Sequence, residues 1–273
     1  MKNLIKATVI GAVSLGGLYV LSTRGRTGHP GLKALQGWKY AHRGLHDETR
    51  PENSMAAFRA ALEAGYGIEL DVHLLRDGNL AVIHDSSLLR TAGCDVNIED
   101  LTTGQLQDYH LGGTEETIPE FRQVLELYAG KAPLIIELKV AGNNYAALAG
   151  TACAMMEDYE GPWCMESFDP RCVYWLKKNR PEVIRGQLTA NFFKDKKSTV
   201  PACLKWAMRH QAINFMTRPD FAAYKFEDRK TLSNALARKF WGIQGVSWTI
   251  RSQEDFDTAV QDGWIPIFEN FKP

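Results

Sequence analysis

The chain has 273 residues, 45% of them apolar or aromatic, and equal numbers of basic and acidic side chains. A formal net charge of zero excludes wholesale binding to nucleic acid through counterion release, so no nucleic-acid partner is expected. The length suits one sizeable core, and five cysteines, an odd number without a C-x-x-C spacing, argue against a disulfide framework or a zinc site.

In chain order, the first feature is an uncharged run over 7–21, "ATVIGAVSLGGLYVL", with Lys2 and Lys6 before it. Extended through Leu4 and Ile5 it reaches the short end of a bilayer span. The expectation is a membrane-anchored, single-pass protein with an anchor helix in 1–22. A signal segment giving a secreted form is second, because "STRGRTG" is a poor cleavage site. Basic residues flank both ends, so the side of the membrane is not set. Residues 23–37, rich in Gly and punctuated by Pro30, read as a linker, and one barrel domain is expected over 38–273.

Strand-like runs then alternate with helical ones. The strands are expected at 39–42, 67–74, 80–84, 133–138, 163–168, 183–188, 212–214, 245–249 and 265–268. Asn53 reads as the N-cap of the first helix, Pro119 as the start of another ending before Gly130, and Asp169-Pro170 as a third start. Between the second and third strands only "RDG" intervenes, which predicts a hairpin turning at Asp77-Gly78. That register would set Asp71 opposite His84. Without the return arm eight parallel strands remain, so the expected fold is α/β, a (β/α)8 TIM barrel with a β-hairpin excursion after the second strand, preceded by an N-terminal membrane-anchor helix.

The chemistry-bearing residues sit at strand ends. Glu69 and Asp71 share one face of an apolar strand, an arrangement that calls for a cation, Mg²⁺ or Ca²⁺ by its oxygen donors. In "PLIIELKV", Glu137 is placed as a third ligand and Lys139 as a phosphate clamp. His42 offers acid/base chemistry and Arg43 a two-donor grip on phosphate, with Gly44 allowing the turn. Glu52 is a partner for these groups, His46 a loop residue, and Trp248 either a pocket wall or core. His73, His110 and His210 have no companions in sequence and carry no expected role.

The ordered set "AHRG", "RPENS", "IELDVHLLRDG", "VIHD", "IPEF", "IIELK", "SFDP" and "VSWTI" resembles the glycerophosphodiester phosphodiesterase family, over nearly all of 38–250. The resemblance implies a phosphatidylinositol-phospholipase-C-like barrel that hydrolyses glycerophosphodiesters to an alcohol and glycerol 3-phosphate with one divalent cation. It implies His42 and His84 as the acid/base pair and Glu69, Asp71 and Glu137 as metal ligands. Arg43 and Lys139 would hold phosphate, and Trp248 would line the pocket. At the chain's end Glu269-Asn270 stands where the family more often shows Thr-Asp, a departure read as peripheral; Arg76 replaces a common Thr before Asp77. A lysophospholipid or polymer-linked diester is the alternative substrate, and a non-catalytic phosphate-binding protein the alternative class.

Overall fold

Eight parallel strands close into a ring in the computed structural model, which describes residues 15–196 and 200–273. They are β1 (Tyr40–His42), β2 (Gly67–Leu74), β4 (Leu134–Leu138), β5 (Trp163–Ser167), β6 (Arg185–Thr189), β7 (Phe221–Lys225), β8 (Gln244–Ile250) and β9 (Trp264–Phe268). β1 pairs in parallel with both β2 and β9, which is the closure a barrel requires. β3 (Leu80–Val82) runs back along β2 as the antiparallel excursion.

Side-chain alternation divides the core into two layers. Tyr40, Ile135, Cys164, Leu188, Phe221, Ala223, Val246, Ile265 and Ile267 form one buried cluster within the ring. Their neighbours in sequence, among them Ala41, Ile68, Leu70, Leu134 and Ile136, pack with the helical residues Phe58, Phe121, Val124 and Leu148. Gly186 belongs to the tightest part of the barrel, where an added Cβ would lie 2.1 Å from the Phe221 ring. Gly186→Ala is expected to destabilise the fold by about 1–3 kcal/mol, measured by urea denaturation.

Four local expectations are corrected. The seventh strand is β7, not 212–214, where a turn and the short helix Asn214–Thr217 lie. Its sequence "FAAYK" carries two alanines and a lysine, too small an apolar signal to stand out, yet Phe221 fills the space above Gly186. The hairpin register is displaced by one residue: Val72 pairs with Val82, His73 with Ala81 and Leu74 with Leu80. The cause is the turn. Leu75 N–H donates to Asn79 O at 2.8 Å, leaving a three-residue loop with Gly78 at φ 87°. Asp71 therefore faces Ile83, whose N–H donates to the Asp71 carbonyl at 3.1 Å, and not His84.

Ser54, not Asn53, caps the first helix, Met55–Glu63, accepting from Ala57 N–H. Asn53 sits at φ 55° with its amide engaged elsewhere. The helix after Pro119 starts at Phe121, with Glu120 as its cap. Asp169 caps Pro170–Asn179 as expected.

The excursion is larger than a hairpin. Residues 75–118 carry their own small core of Leu75, Ile83, Leu88, Ile98, Leu101, Leu106, Leu111 and Ile118. Within the stretch read as a linker, Thr23 is buried, Arg26 pairs with Asp220, and Leu35 accepts from the Tyr40 hydroxyl at 2.8 Å. The expected anchor falls largely on 1–14, outside the described residues. Among the described residues no helix is long and apolar enough to cross a membrane. All five cysteines are free.

Candidate active site

Strand register brings the acidic residues together. Asp71 pairs with Glu137, and Glu137 with Glu166, so all three point into the barrel near the C-terminal strand ends. Glu69 lies two residues below Asp71, level with His42 on β1. One ligand atom each from Glu69, Asp71 and Glu137 lies within 4.8 Å of the others, and all three side chains are buried.

Three like charges at that spacing need compensation. Burial, then Asp71 and Glu137, pushes the Glu69 carboxyl well above its usual range. Burial pushes Glu137 up to about 7, against the pull of Lys139. Asp71 goes the other way: burial works against ionisation, but Lys139 and Arg43, with the Asn53 hydrogen bond, hold it ionised. Lys139 Nζ donates to Glu137 Oε1 at 2.9 Å and lies 3.4 Å from Asp71 Oδ1. Arg43 Nε lies 3.4 Å from Asp71 Oδ2, with Nη1 on Glu52 at 2.9 Å.

A divalent cation fits this donor set. The carboxylate oxygens converge, Asp71 Oδ1 is buried without a hydrogen-bond partner, and hard oxygen donors suit Mg²⁺ or Ca²⁺. Asn53 Nδ2 holds Asp71 Oδ2 at 2.9 Å, which leaves Oδ1 for other partners. Gly44 closes the turn behind β1 at φ 84°, where a Cβ would strike the Ala57 backbone at 2.9 Å.

Each expected histidine is oriented by a carboxylate. His42 Nδ1 is 2.5 Å from Glu269 Oε2, and its Nε2 is 3.8 Å from Glu69 Oε2. The Glu269 carboxyl is held down at about 2: burial works against ionisation, but the His42 and Arg251 contacts outweigh it. An ionised carboxylate only accepts, so Nδ1 carries the proton and Nε2 of the neutral ring is a bare base facing the acidic cluster. His84 Nδ1 meets Asp85 Oδ1 at 2.6 Å. Burial lowers both imidazoles, favouring neutral rings at neutral pH.

A cavity of about 630 Å³ opens beside these groups. His84, Glu137 and Lys139 form its polar side, and Phe168, Phe192, Val200, Leu204 and Met208 its apolar side. Trp248 meets the Phe168 ring edge-on at 5.6 Å and so braces the apolar side through it.

The structure therefore unites His42, Arg43, Glu69, Asp71, Glu137 and Lys139, with His84 at the cavity and Trp248 one residue removed from it. A profile of the glycerophosphoryl diester phosphodiesterase family matches residues 42–271. The chain belongs to the glycerophosphoryl diester phosphodiesterase family.

Among relatives in this family, a glycerophosphodiester phosphodiesterase of Bacillus altitudinis is 41% identical over 113 residues, 39% of this chain and 46% of the relative. One from Caldanaerobacter subterraneus is 34% identical over 158 residues, 54% and 65% of the two chains. The chain thus spans about half to two thirds of the length of these relatives. An Oleispira antarctica phosphodiesterase, solved in complex with the product sn-glycerol-3-phosphate, superposes with a TM-score of 0.69 at 20% identity, covering 85% of this chain and 92% of that one. That likeness bears on the fold alone.

Several site groups had escaped the sequence reading of this phosphodiesterase family member. Glu269, set aside as peripheral, touches His42 directly. The alternation Ile265, Ile267, Glu269 places it on the inner face at the end of β9, and that pattern was readable. Arg251 donates to Glu269 Oε1 at 2.8–2.9 Å and fixes which oxygen is left for His42. Glu269→Gln is expected to lower kcat roughly ten- to a hundredfold with little change in KM, and Glu269→Asp to recover part of it, both read by steady-state kinetics.

Glu166 is a fourth inward acid, held well up by burial with Glu137 and Asp71, and its Oε2 has no hydrogen-bond partner. Its place two residues beyond Cys164 in an apolar strand repeats the Glu69/Asp71 spacing. His73 is not without companions: Nδ1 meets Glu99 at 2.6 Å and Nε2 meets the His84 carbonyl at 3.1 Å, which ties the excursion to the site. His46 comes within 4.0 Å of Glu269.

Proposed function

We propose that this protein hydrolyses glycerophosphodiesters to an alcohol and sn-glycerol 3-phosphate, with one divalent cation, Mg²⁺ or Ca²⁺. The observation that carries the reading is the juxtaposition of three buried carboxylates with two cations and two carboxylate-oriented histidines at one end of the barrel. Catalytic groups of such barrels belong at that end.

Glu69, Asp71 and Glu137 would hold the metal, which when bound supplies charge neutralisation at the phosphate. Arg43 and Lys139 flank Asp71, beside Oδ2 and Oδ1 respectively, and would grip the phosphate with directed donors. One histidine, its Nε2 bare, takes the proton from the nucleophile, which is water or the adjacent glycerol hydroxyl. The other enters the reaction as the imidazolium, a form that the negative charge of a bound diester favours, and gives its Nε2 proton to the leaving alkoxide. Glu269 and Asp85 keep each Nδ1–H engaged so that Nε2 does this work.

The test is release of glycerol 3-phosphate from glycerophosphocholine and glycerophosphoethanolamine by the full chain, with Mg²⁺, Ca²⁺ or EDTA. Metal-dependent release is expected. Binding of either diester without turnover would instead support a non-catalytic phosphate-binding protein.

The apolar side of the cavity favours a second substrate, a lysophospholipid, whose acyl chain would lie along Phe168, Phe192 and Leu204. Faster cleavage of lysophosphatidylcholine than of glycerophosphocholine would select it.

The chain's place at a membrane belongs to the same reading. The uncharged run over 7–21 supports a single-pass anchor preceding the barrel, and Leu15, Leu18 and Leu21 remain exposed in the described part. The protein is expected to stay with the membrane fraction through carbonate extraction; its release into the supernatant would overturn the anchor.

A further inference from the structure

The opposite end of the barrel carries a second cavity, of about 680 Å³, where Arg24, Arg26, Lys177, Arg185 and Arg218 converge beside Trp241. Arg185 opens β6 and Asp220 directly precedes β7, so this cavity lies at the N-terminal strand ends, away from the acidic cluster. A chain of zero formal charge has here gathered five cations in one cavity lining, and Asp220 is the carboxylate that pairs with one of them, Arg26.

That carboxylate is already engaged. Asp220 pairs with Arg26 through both oxygens and accepts the Arg185 backbone N–H at 2.9 Å. Arg26 is further tied to the carbonyls of Pro181 and Val183. Among the described residues, Arg24, Lys177, Arg185 and Arg218 have no ion-pair partner. Arg185 is 3% exposed; its Nε donates to Thr217 O at 3.2 Å, but its buried Nη1 has no partner. A buried guanidinium nitrogen with nothing to donate to, beside three further unpaired cations, is a costly arrangement unless an anion completes it.

The other cations are positioned. The Arg24 guanidinium lies over the Trp241 ring at 5.3 Å. Lys177 Nζ donates to Met216 O at 2.6 Å, and Arg218 Nη1 to Arg24 O at 3.4 Å. Burial, then Arg26, brings Arg185 down to about 10 against the pull of Asp220, and burial with Arg218 lowers Lys177.

We propose that this cavity binds a phosphate-type anion, carried by free phosphate or by the headgroup of an anionic phospholipid, through Arg24, Lys177, Arg185 and Arg218. Planar guanidinium donors suit phosphate oxygens, and several converge here. A headgroup source agrees with the surroundings. Trp241 Nε1 donates to Val20 O at 3.0 Å, on the stretch that carries the exposed Leu18 and Leu21, and Phe240 on the cavity rim is half exposed. The site is independent of the catalytic reading.

The full chain is titrated calorimetrically with inorganic phosphate at constant ionic strength. The Lys177→Ala/Arg218→Ala double variant is expected to bind phosphate at this cavity about tenfold more weakly or worse while keeping wild-type phosphodiesterase activity. Lys139→Ala, altered only at the barrel mouth, keeps this binding. Arg122→Ala/Lys131→Ala removes the same charge from elsewhere on the surface and should bind as wild type. Flotation with phosphatidylcholine vesicles, with and without phosphatidylglycerol, identifies the source: a phosphatidylglycerol-dependent gain lost in the Lys177/Arg218 variant marks a headgroup site, and loss of phosphate binding alone marks a free-anion site. Phosphate binding and vesicle gain both unchanged in that variant, or equally reduced in the Arg122/Lys131 control, overturn the proposal.

Discussion

Replacing His42 with alanine is expected to lower kcat by about 10²–10⁴-fold, the usual contribution of a positioned acid or base. The geometry sets the size. His42 Nε2 lies 3.8 Å from Glu69 Oε2, at the edge of the acidic cluster, and the ring is nearly buried, so no solvent group replaces it. The substitution removes the partner of Glu269 Oε2, but Arg251 still engages that carboxylate and the barrel strands are untouched. The variant should therefore retain its circular dichroism spectrum and unfold cooperatively while losing turnover. His84→Ala should behave in the same way, with a larger KM share because its ring lines the cavity. Near-wild-type turnover in either variant would remove that histidine from the acid/base pair.

Stripping the metal with EDTA, or Asp71→Asn in its place, should cost about 10³-fold or more in turnover, since several kcal/mol of charge stabilisation would go with it. Asp71 is chosen because it stands between the other two acids, with Lys139 3.4 Å from Oδ1, Arg43 3.4 Å from Oδ2 and Asn53 on Oδ2, so its loss is expected to disturb every proposed metal contact. A readout apart from activity follows from linkage. Mg²⁺ or Ca²⁺ that binds the folded state alone raises Tm, by an amount that grows with its free concentration. The wild-type protein should show that rise and Asp71→Asn should lose most of it. An EDTA-treated enzyme of unchanged rate would show that the carboxylates serve the fold without a cation.

Much of this site could be read residue by residue because strand geometry is local. A spacing of two puts Glu69 with Asp71, and Glu137 with Lys139, on one face whatever the rest of the chain does. The same rule applied to Ile265, Ile267 and Glu269 would have found the carboxylate on His42. Motif comparison alone hides this carboxylate, because Glu269-Asn270 departs from the family pattern while the strand alternation still points it inward. Helix ends depended on finer competition. Asn53 and Ser54 are both good caps, and the choice of Ser54 follows from Asn53 being drawn to Asp71, eighteen residues along the chain.

By itself the sequence determined the alternation of strands and helices, the pairs of charged residues on inward faces, and the turn at Asp77-Gly78, since each depends on neighbours within a few positions. The tertiary structure decided the rest, because those facts depend on groups far apart in the chain. The one-residue register of the excursion followed from the loop's hydrogen bonding, and β7 followed from Phe221 filling the space over Gly186. Barrel closure alone set His42 beside Glu269, 227 residues away, and gathered the cations around Arg185 at the opposite end. Local periodicity tells which face a side chain occupies; only closure of the ring tells what it meets there.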